Sequence, residues 1–234
     1  SSDVCSSDLY SSRLFPLLKK WPISALTVPT DWTVPVWIQP IKTEDHSNYI
    51  GSYKVMWVHA PLERVRDLID DFEQYKDLFP DLNEVKVVAK DGNKITTFWE
   101  RPSPVFFVSN TRYEQIYLID RSMPQRTVYR YQLKHGNHVN FSDGIIVLER
   151  RGEETLISGF DFFEADWGLL KTLAESKIWN ASLEGAFRGD LTLKAKAEHP
   201  DWTRKQIEVS VDEMIRKFPI DVKKMKYLDF KSLP

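Results

Sequence analysis

The chain has 234 residues, 42% of them hydrophobic and 13% aromatic, with a formal net charge of -2. That is enough apolar material for one sizeable domain with extensions, and lysines and arginines so dispersed exclude the basic face that binding nucleic acid requires. No apolar run approaches the roughly 20 residues of a membrane span, and the single Cys5 excludes an internal disulfide framework and a cysteine-only zinc site.

Residues 1–12, SSDVCSSDLYSS, are polar and repeat the triplet SSD. They read as a leader outside the native fold, so Cys5 is assigned no chemistry. No signal peptide is visible. The chain reads as cytoplasmic as it stands, and as exported if a signal has been lost upstream, so the compartment stays open. Residues 13–48 carry Pro16, Pro22, Pro29, Pro35 and Pro40, with Trp21, Trp32 and Trp37 between them. Proline at this density prevents a regular helix and argues against a central strand. The expectation is an extended arm packed on the surface of a domain.

From Tyr49 to Ala60, Tyr53, Val55, Trp57 and His59 alternate with Lys54, Met56 and Val58, which predicts a strand. Pro61 is placed at the first position of a helix, whose apolar face is Leu62, Val65, Leu68, Ile69 and Phe72. A second short helix over Glu73–Leu78 stops before Pro80. Six strands follow, over Glu84–Lys90, Lys94–Arg101, Val105–Ile119, Arg126–Lys134, Asp143–Arg150 and Glu154–Phe163. Turn-forming stretches such as Asp91-Gly92-Asn93 and Arg151-Gly152-Glu153 separate them. Short connections make consecutive strands antiparallel neighbours.

Alternation sorts the strand faces. Tyr113, Gln115, Tyr117 and Ile119 share one face, as do Thr127, Tyr129, Tyr131 and Leu133. Arg112, Glu114, Arg130, Gln132 and Lys134 are placed toward solvent, which turns Tyr113, Tyr117, Tyr129 and Tyr131 inward. Phe98 and Trp99 point to opposite sides. On the last strand Ile157, Gly159, Asp161 and Phe163 oppose Ser158, Phe160 and Phe162.

Gly168 to His199 contains no proline and predicts one long helix. Leu169, Leu173, Ser176, Asn180, Leu183, Phe187 and Leu191 share a face at helical spacing. A second apolar strip runs through Leu170, Ala174, Ile178 and Ala181, and the opposite side carries Lys171, Glu175, Glu184, Arg188 and Lys196. Ser176 and Asn180 are read first as edge residues of the buried stripe and second as ligand-facing groups. Beyond Pro200, Ile207, Val211, Met214 and Ile215 mark a last helix that Pro219 stops, followed by a polar tail. The predicted class is α+β, a curved antiparallel sheet wrapped around a long C-terminal helix. A core domain over 49–199 then follows the arm of 13–48 and precedes a helix and tail over 200–234.

The order of these elements and several short stretches resemble the START-like, or SRPBCC, superfamily with its helix-grip fold. The stretches are His59-Ala60-Pro61-Leu62-Glu63-Arg64-Val65, Asp70-Asp71-Phe72-Glu73-Gln74-Tyr75 with Phe79-Pro80, Arg130-Tyr131-Gln132-Leu133, Ser142-Asp143-Gly144, and Ala197-Glu198-His199-Pro200. Within the superfamily the chain looks most similar to polyketide cyclase/dehydrase-like and coenzyme Q-binding-like members. The resemblance spans about Tyr49 to His199. It implies binding of a lipid, quinone, polyketide or similar apolar molecule between helix and sheet, and it carries over no catalytic residue.

The expected ligand-facing residues are Trp99, Tyr113, Tyr117, Tyr129, Tyr131 and Phe163 on the sheet, and Ser176, Asn180, Leu183 and Phe187 on the long helix. Catalytic residues stay unassigned, and no metal and no cofactor are expected. His135 and His138 have an HxxH spacing without further ligands, so they read as turn residues. His59 reads as a strand end and His199 as a helix end, where a cation is favoured. Asp161, Glu164 and Asp166 are read as helix-capping acids, Asp166 being the best cap, with a pocket acid or base as the alternative. No P-loop, GxGxxG, GxSxG or HExxH is present.

The first functional expectation is a non-enzymatic binder or carrier of an apolar small molecule, transient membrane contact remaining open. The second is a cyclase, dehydratase or isomerase acting on a polyketide-like substrate, with Tyr113, Tyr129, Tyr131, Asn180 and Asp161 as its polar groups. The third is an interaction module using the proline-rich arm and an exposed apolar patch on the last helix. Any protein partner stays unidentified.

Overall fold

A computed structural model of the chain describes residues 34–42, 50–79, 82–102, 109–165, 170–225 and 228–229. Nine strands form one sheet: β1 (Trp37–Lys42), β2 (Ile50–Val58), β3 (Glu84–Asp91), β4 (Lys94–Arg101), β5 (Thr111–Asp120), β6 (Arg126–Gly136), β7 (Val139–Arg151), β8 (Glu154–Ala165) and β9 (Leu228–Asp229). Their order is β3-β4-β5-β6-β7-β8-β2-β1-β9. All pairings are antiparallel except β1 with β9. The helices are α1 (Leu62–Asp70), α2 (Tyr75–Leu78), α3 (Leu170–Glu198) and α4 (Arg204–Lys217), with a 3-10 turn over Phe72–Gln74. Within α3, side chains are described from Asn180 onward.

β3 to β8 follow one another through short hairpins, two of which turn on Gly92 and Gly152 at φ 57° and 67°, where a glycine fits without strain. The register slips at Val87/Ala89, Glu114/Gln115 and Val139/Phe141. Such bulges bend a strand and increase its twist, and here they help the sheet curl. The concave face receives α1, α2 and α3.

Local chemistry sets the helix boundaries. Pro61 lies just outside α1 rather than at its first helical position, with extended φ and ψ of -64° and 150°. Leu62, Val65 and Ile69 then step by three and four into the core. At α4, the Thr203 hydroxyl accepts from the Gln206 backbone N–H, while the Gln206 side chain accepts from Thr203 N–H, the reciprocal box that satisfies two orphan donors.

The arm departs from expectation. Pro40 notwithstanding, Trp37–Lys42 is a sheet strand, paired along β2 from Trp37↔Val55 to Ile41↔Gly51. β1 is nearly a rim strand, since β9 covers only Ile41 and Lys42, and a rim is where a proline is tolerated. Residues 1–33, 43–49 and 103–108, with Asp166, lie outside the described residues.

Two hydrophobic clusters result. The inner one joins Val85, Ile95, Trp99, Tyr113, Tyr117, Tyr129, Leu148 and Ile157 of the sheet to Val65, Ile69 and Phe72, and to Leu183, Phe187 and Leu191 of α3. The outer one, on the convex side, holds Tyr53, Val55, Ile145, Val147, Phe160 and Phe162. The central strands are therefore apolar on both faces. Gln132, expected in solvent, is 7% exposed and pairs in register with Asp143 on that outer face. Alternation gave its side correctly, but the convex side is not all solvent.

Two further expectations change. Ala181, the one member of the second apolar strip on the long helix whose side chain is described, is exposed. On α4 the apolar residues turn inward, Ile207 and Val211 being buried and Met214 and Ile215 packing on the inner cluster, which leaves Val209 as its exposed large apolar side chain. Among the described residues no helix is long and apolar enough to cross a membrane.

Candidate functional site

The concave face divides into a filled end and an open end. At the filled end Thr127 and Tyr129 of β6, Leu148 of β7, Ile157 of β8 and Met56 and Val58 of β2 are 0–4% exposed. Phe72 closes this region from above, its ring centroid 4.9 Å from Tyr117 and 6.4 Å from Trp99. Tyr75 continues the aromatic chain to Trp99 and Phe79. One or two residues further along the same strands, burial lapses. Tyr131, Leu133, Ile146, Asp161 and Phe163 all face inward from central strands, yet each is only partly buried.

A polar group lies among these partly open side chains. Tyr131 donates its hydroxyl to Asp161 Oδ1 at 2.7 Å. It reaches across β7 because Gly144, its register partner on one side and Asp161's on the other, leaves the path clear. Lys54 of β2 pairs with Asp190 of α3 at 3.1 Å, with side chains 16% and 11% exposed. Burial pulls the Lys54 ammonium down, but Asp190 and Asp161 outweigh it and hold it above its ordinary value. Burial lifts the Asp190 carboxyl above the usual carboxylate range, against the pull of Lys54. Asp190 Oδ2 is buried and accepts no hydrogen bond among the described residues. Burial pushes the Tyr131 hydroxyl up, and Asp161 adds to the effect, so Tyr131 is a proton donor at neutral pH.

Next to this group Tyr117 donates to Gln115 Oε1 at 3.0 Å, and Gln115 Nε2 donates to Ser142 at 2.7 Å. These polar side chains satisfy one another.

The sequence-selected residues fall into distinct places. Trp99 is 6% exposed, stacks on Tyr113 at 6.2 Å, and donates its indole N–H to Thr97. Tyr113 accepts from Arg101, and Tyr117 stands 5.4 Å from Tyr131. Tyr129, Leu183 and Phe187 are 0–1% exposed in the packed core, and Tyr129 donates to Asp70 at the far end of α1. Tyr131 and Phe163 flank the open region, and Asn180 of α3 is partly buried. Ser176 lies in α3, its side chain outside the described residues. Asp161 is a strand residue bonded to Tyr131 rather than a helix cap. His135 approaches Glu114 and His138 approaches Ser109, so the HxxH pair diverges. His59 lies against Glu154, and His199 stacks on Trp202. Among the described residues no group of three or more His, Cys, Asp or Glu could hold a metal ion.

Lys54, Asp190, Leu133 and Ile146 were not among the residues selected. The signal was present for the first two. Lys54 shares the strand face of Met56 and Val58, which turn inward, and Asp190 lies seven residues after Leu183, on the same helical face.

A separate open cleft of about 430 Å³ lies at the opposite end of β5 and β6, lined by Asp70, Lys90, Asn93, Asp120 and Arg121 among others. Arg121 pairs there with Asp70.

A curled antiparallel sheet gripping a long C-terminal helix, with two small helices after its second strand, is a helix-grip fold. The comparison with solved structures gives that fold directly. A STAR-related lipid transfer protein from Xanthomonas axonopodis superposes with a TM-score of 0.54 at 10% identity, covering 73% of this chain and 96% of that one. Human STARD10 gives 0.57 at 13% identity over 85% and 82%. The di-domain aromatase/cyclase StfQ of the steffimycin biosynthetic pathway gives 0.50 at 12% identity over 65% and 51%. No sequence-family model and no curated protein sequence matches the chain.

Proposed function

We propose that the protein binds and carries an apolar small molecule, lodged between the open end of the sheet and α3, with its polar end toward Lys54, Asp161 and Asp190. The observation that carries this reading is the lapse of burial at Tyr131, Leu133, Ile146 and Phe163. They occupy central strands on the face that grips the helix, where a close-packed interior would leave no access. A concave, largely apolar space with a few convergent polar groups is the usual form of a small-molecule site. The similar structure from Xanthomonas axonopodis, named as a lipid transfer protein, supports the same class of ligand.

Of the selected residues, Tyr131, Phe163, Tyr117 and Asn180 would front the ligand. Tyr129, Leu183 and Phe187 would support that wall from the packed core. Native mass spectrometry and solvent extraction of the purified protein test the proposal together. The expected result is a co-purified lipid, quinone or polyketide-like molecule, or saturable binding of N-phenyl-1-naphthylamine by the emptied protein. A protein that carries nothing and binds no apolar probe would sink the reading.

A second reading, a cyclase or dehydratase on a polyketide-like substrate, has its own support. The Tyr131–Asp161 bond would place a proton donor beside the ligand. Turnover that disappears in Tyr131→Phe while ligand binding survives would favour it; binding without turnover would count against it.

A further inference from the structure

Resting on the binding reading, we propose that the site selects an apolar ligand whose polar end is a hydrogen-bond donor, an alcohol or an amine, and disfavours one ending in a carboxylate. The argument is a count of donors and charges. Asp190 is 8% exposed, and one of its oxygens takes the Lys54 ammonium. The other oxygen is buried and has no partner among the described residues. An interior acceptor in that condition lacks a donor, and a bound ligand can supply one.

Among the described residues none donates to it. Tyr131 has one hydroxyl proton and gives it to Asp161. The Gln115 amide is directed at Ser142. Lys194, the next cation along the same helix face, is held by Glu198 at 2.5 Å and by the Trp57 carbonyl.

Charge points the same way. Lys54 is opposed by two carboxylates, Asp190 and Asp161, and these also act unfavourably on each other. A third carboxylate brought in by a ligand would meet an excess of negative charge in a poorly solvated space. A hydroxyl or ammonium would instead complete Asp190.

The test displaces N-phenyl-1-naphthylamine from the whole protein at neutral pH with 1-dodecanol, dodecylamine or laurate, three ligands with one chain length. Wild type is expected to release the probe at about ten-fold lower concentrations of the alcohol or the amine than of laurate, the size of effect a single like-charge contact produces. Comparing the alcohol with the amine then separates a hydroxyl ligand from an ammonium one. In Asp190→Asn and in Asp161→Asn the gap should narrow to about three-fold or less. Laurate equal to dodecanol in wild type overturns the proposal without requiring any variant to fold. A gap unchanged in both folded variants overturns the assignment to these carboxylates. Failure of the naphthylamine to bind removes the hollow itself, whereas binding without discrimination removes only the selectivity.

Discussion

The ring of Tyr131 occupies the space that a side chain on Gly144 would need: a Cβ built there overlaps the tyrosine Cζ and Oη and lies 2.6 Å from the Phe160 carbonyl oxygen. The missing side chain on β7 is what lets a residue of β6 bond to a residue of β8. Gly144→Ala should therefore lose about 2 kcal/mol of stability by overpacking, measured by urea unfolding. An alanine protein as stable as wild type would mean that the ring does not lie across β7.

The Lys54–Asp190 pair should behave as a buried ion pair. Lys54→Met alone strands a carboxylate and should cost about 3 kcal/mol. Lys54→Met with Asp190→Leu removes both charges and should recover most of that loss. If the double variant is less stable than the single one, the pair is not the source of the effect.

The same pair sets a pH dependence. Because burial raises the Asp190 carboxyl above its ordinary value of 3.8, the native state keeps this proton where the unfolded chain has already released it. The group's contribution is complete below the ordinary carboxylate pKa and is lost as pH rises through the raised one. The melting temperature of wild type minus that of Asp190→Asn should therefore fall as pH rises from about 3 to about 7. A difference that grows over that range would reverse the sign of the shift.

Leu133 stands at the open end and is only partly buried. Leu133→Trp should fill the space it borders, weakening naphthylamine binding about ten-fold or more while changing stability by less than about 1 kcal/mol. Unchanged affinity in that variant would place the probe elsewhere.

Phe72 is 2% exposed and joins Tyr75, Trp99 and Tyr117. Phe72→Ala should cost about 3–5 kcal/mol by thermal or chemical unfolding. A smaller loss would mean that the inner wall can collapse around the gap.

The fold was legible because its periods are plain. Alternation on β5 and β6 and the four-residue stepping of Leu183, Phe187 and Leu191 each follow from one rule of backbone geometry. The site was less legible. Tyr129 and Tyr131 share a strand face and a residue type, yet one is sealed in the core and the other flanks the open region. Their difference comes from α1, which brings Asp70 to Tyr129, and from Gly144 beside Tyr131. Neither is local in sequence. Lys54 and Asp190 fit their inward faces by spacing, but a charged residue on a buried face makes sense only with its partner, 136 residues away along the chain.

The two margins of the sheet share one property. Along β3 a dislocation at Val87/Ala89 interrupts the ladder between flanking lysines, and along β1 Pro40 has no amide hydrogen to offer a newcomer. A strand from another molecule seeking to extend the array would find a kink on one side and a missing donor on the other. Among the described residues, edge-on growth into fibrils thus meets an obstacle along β3 and along the part of β1 that β9 leaves uncovered.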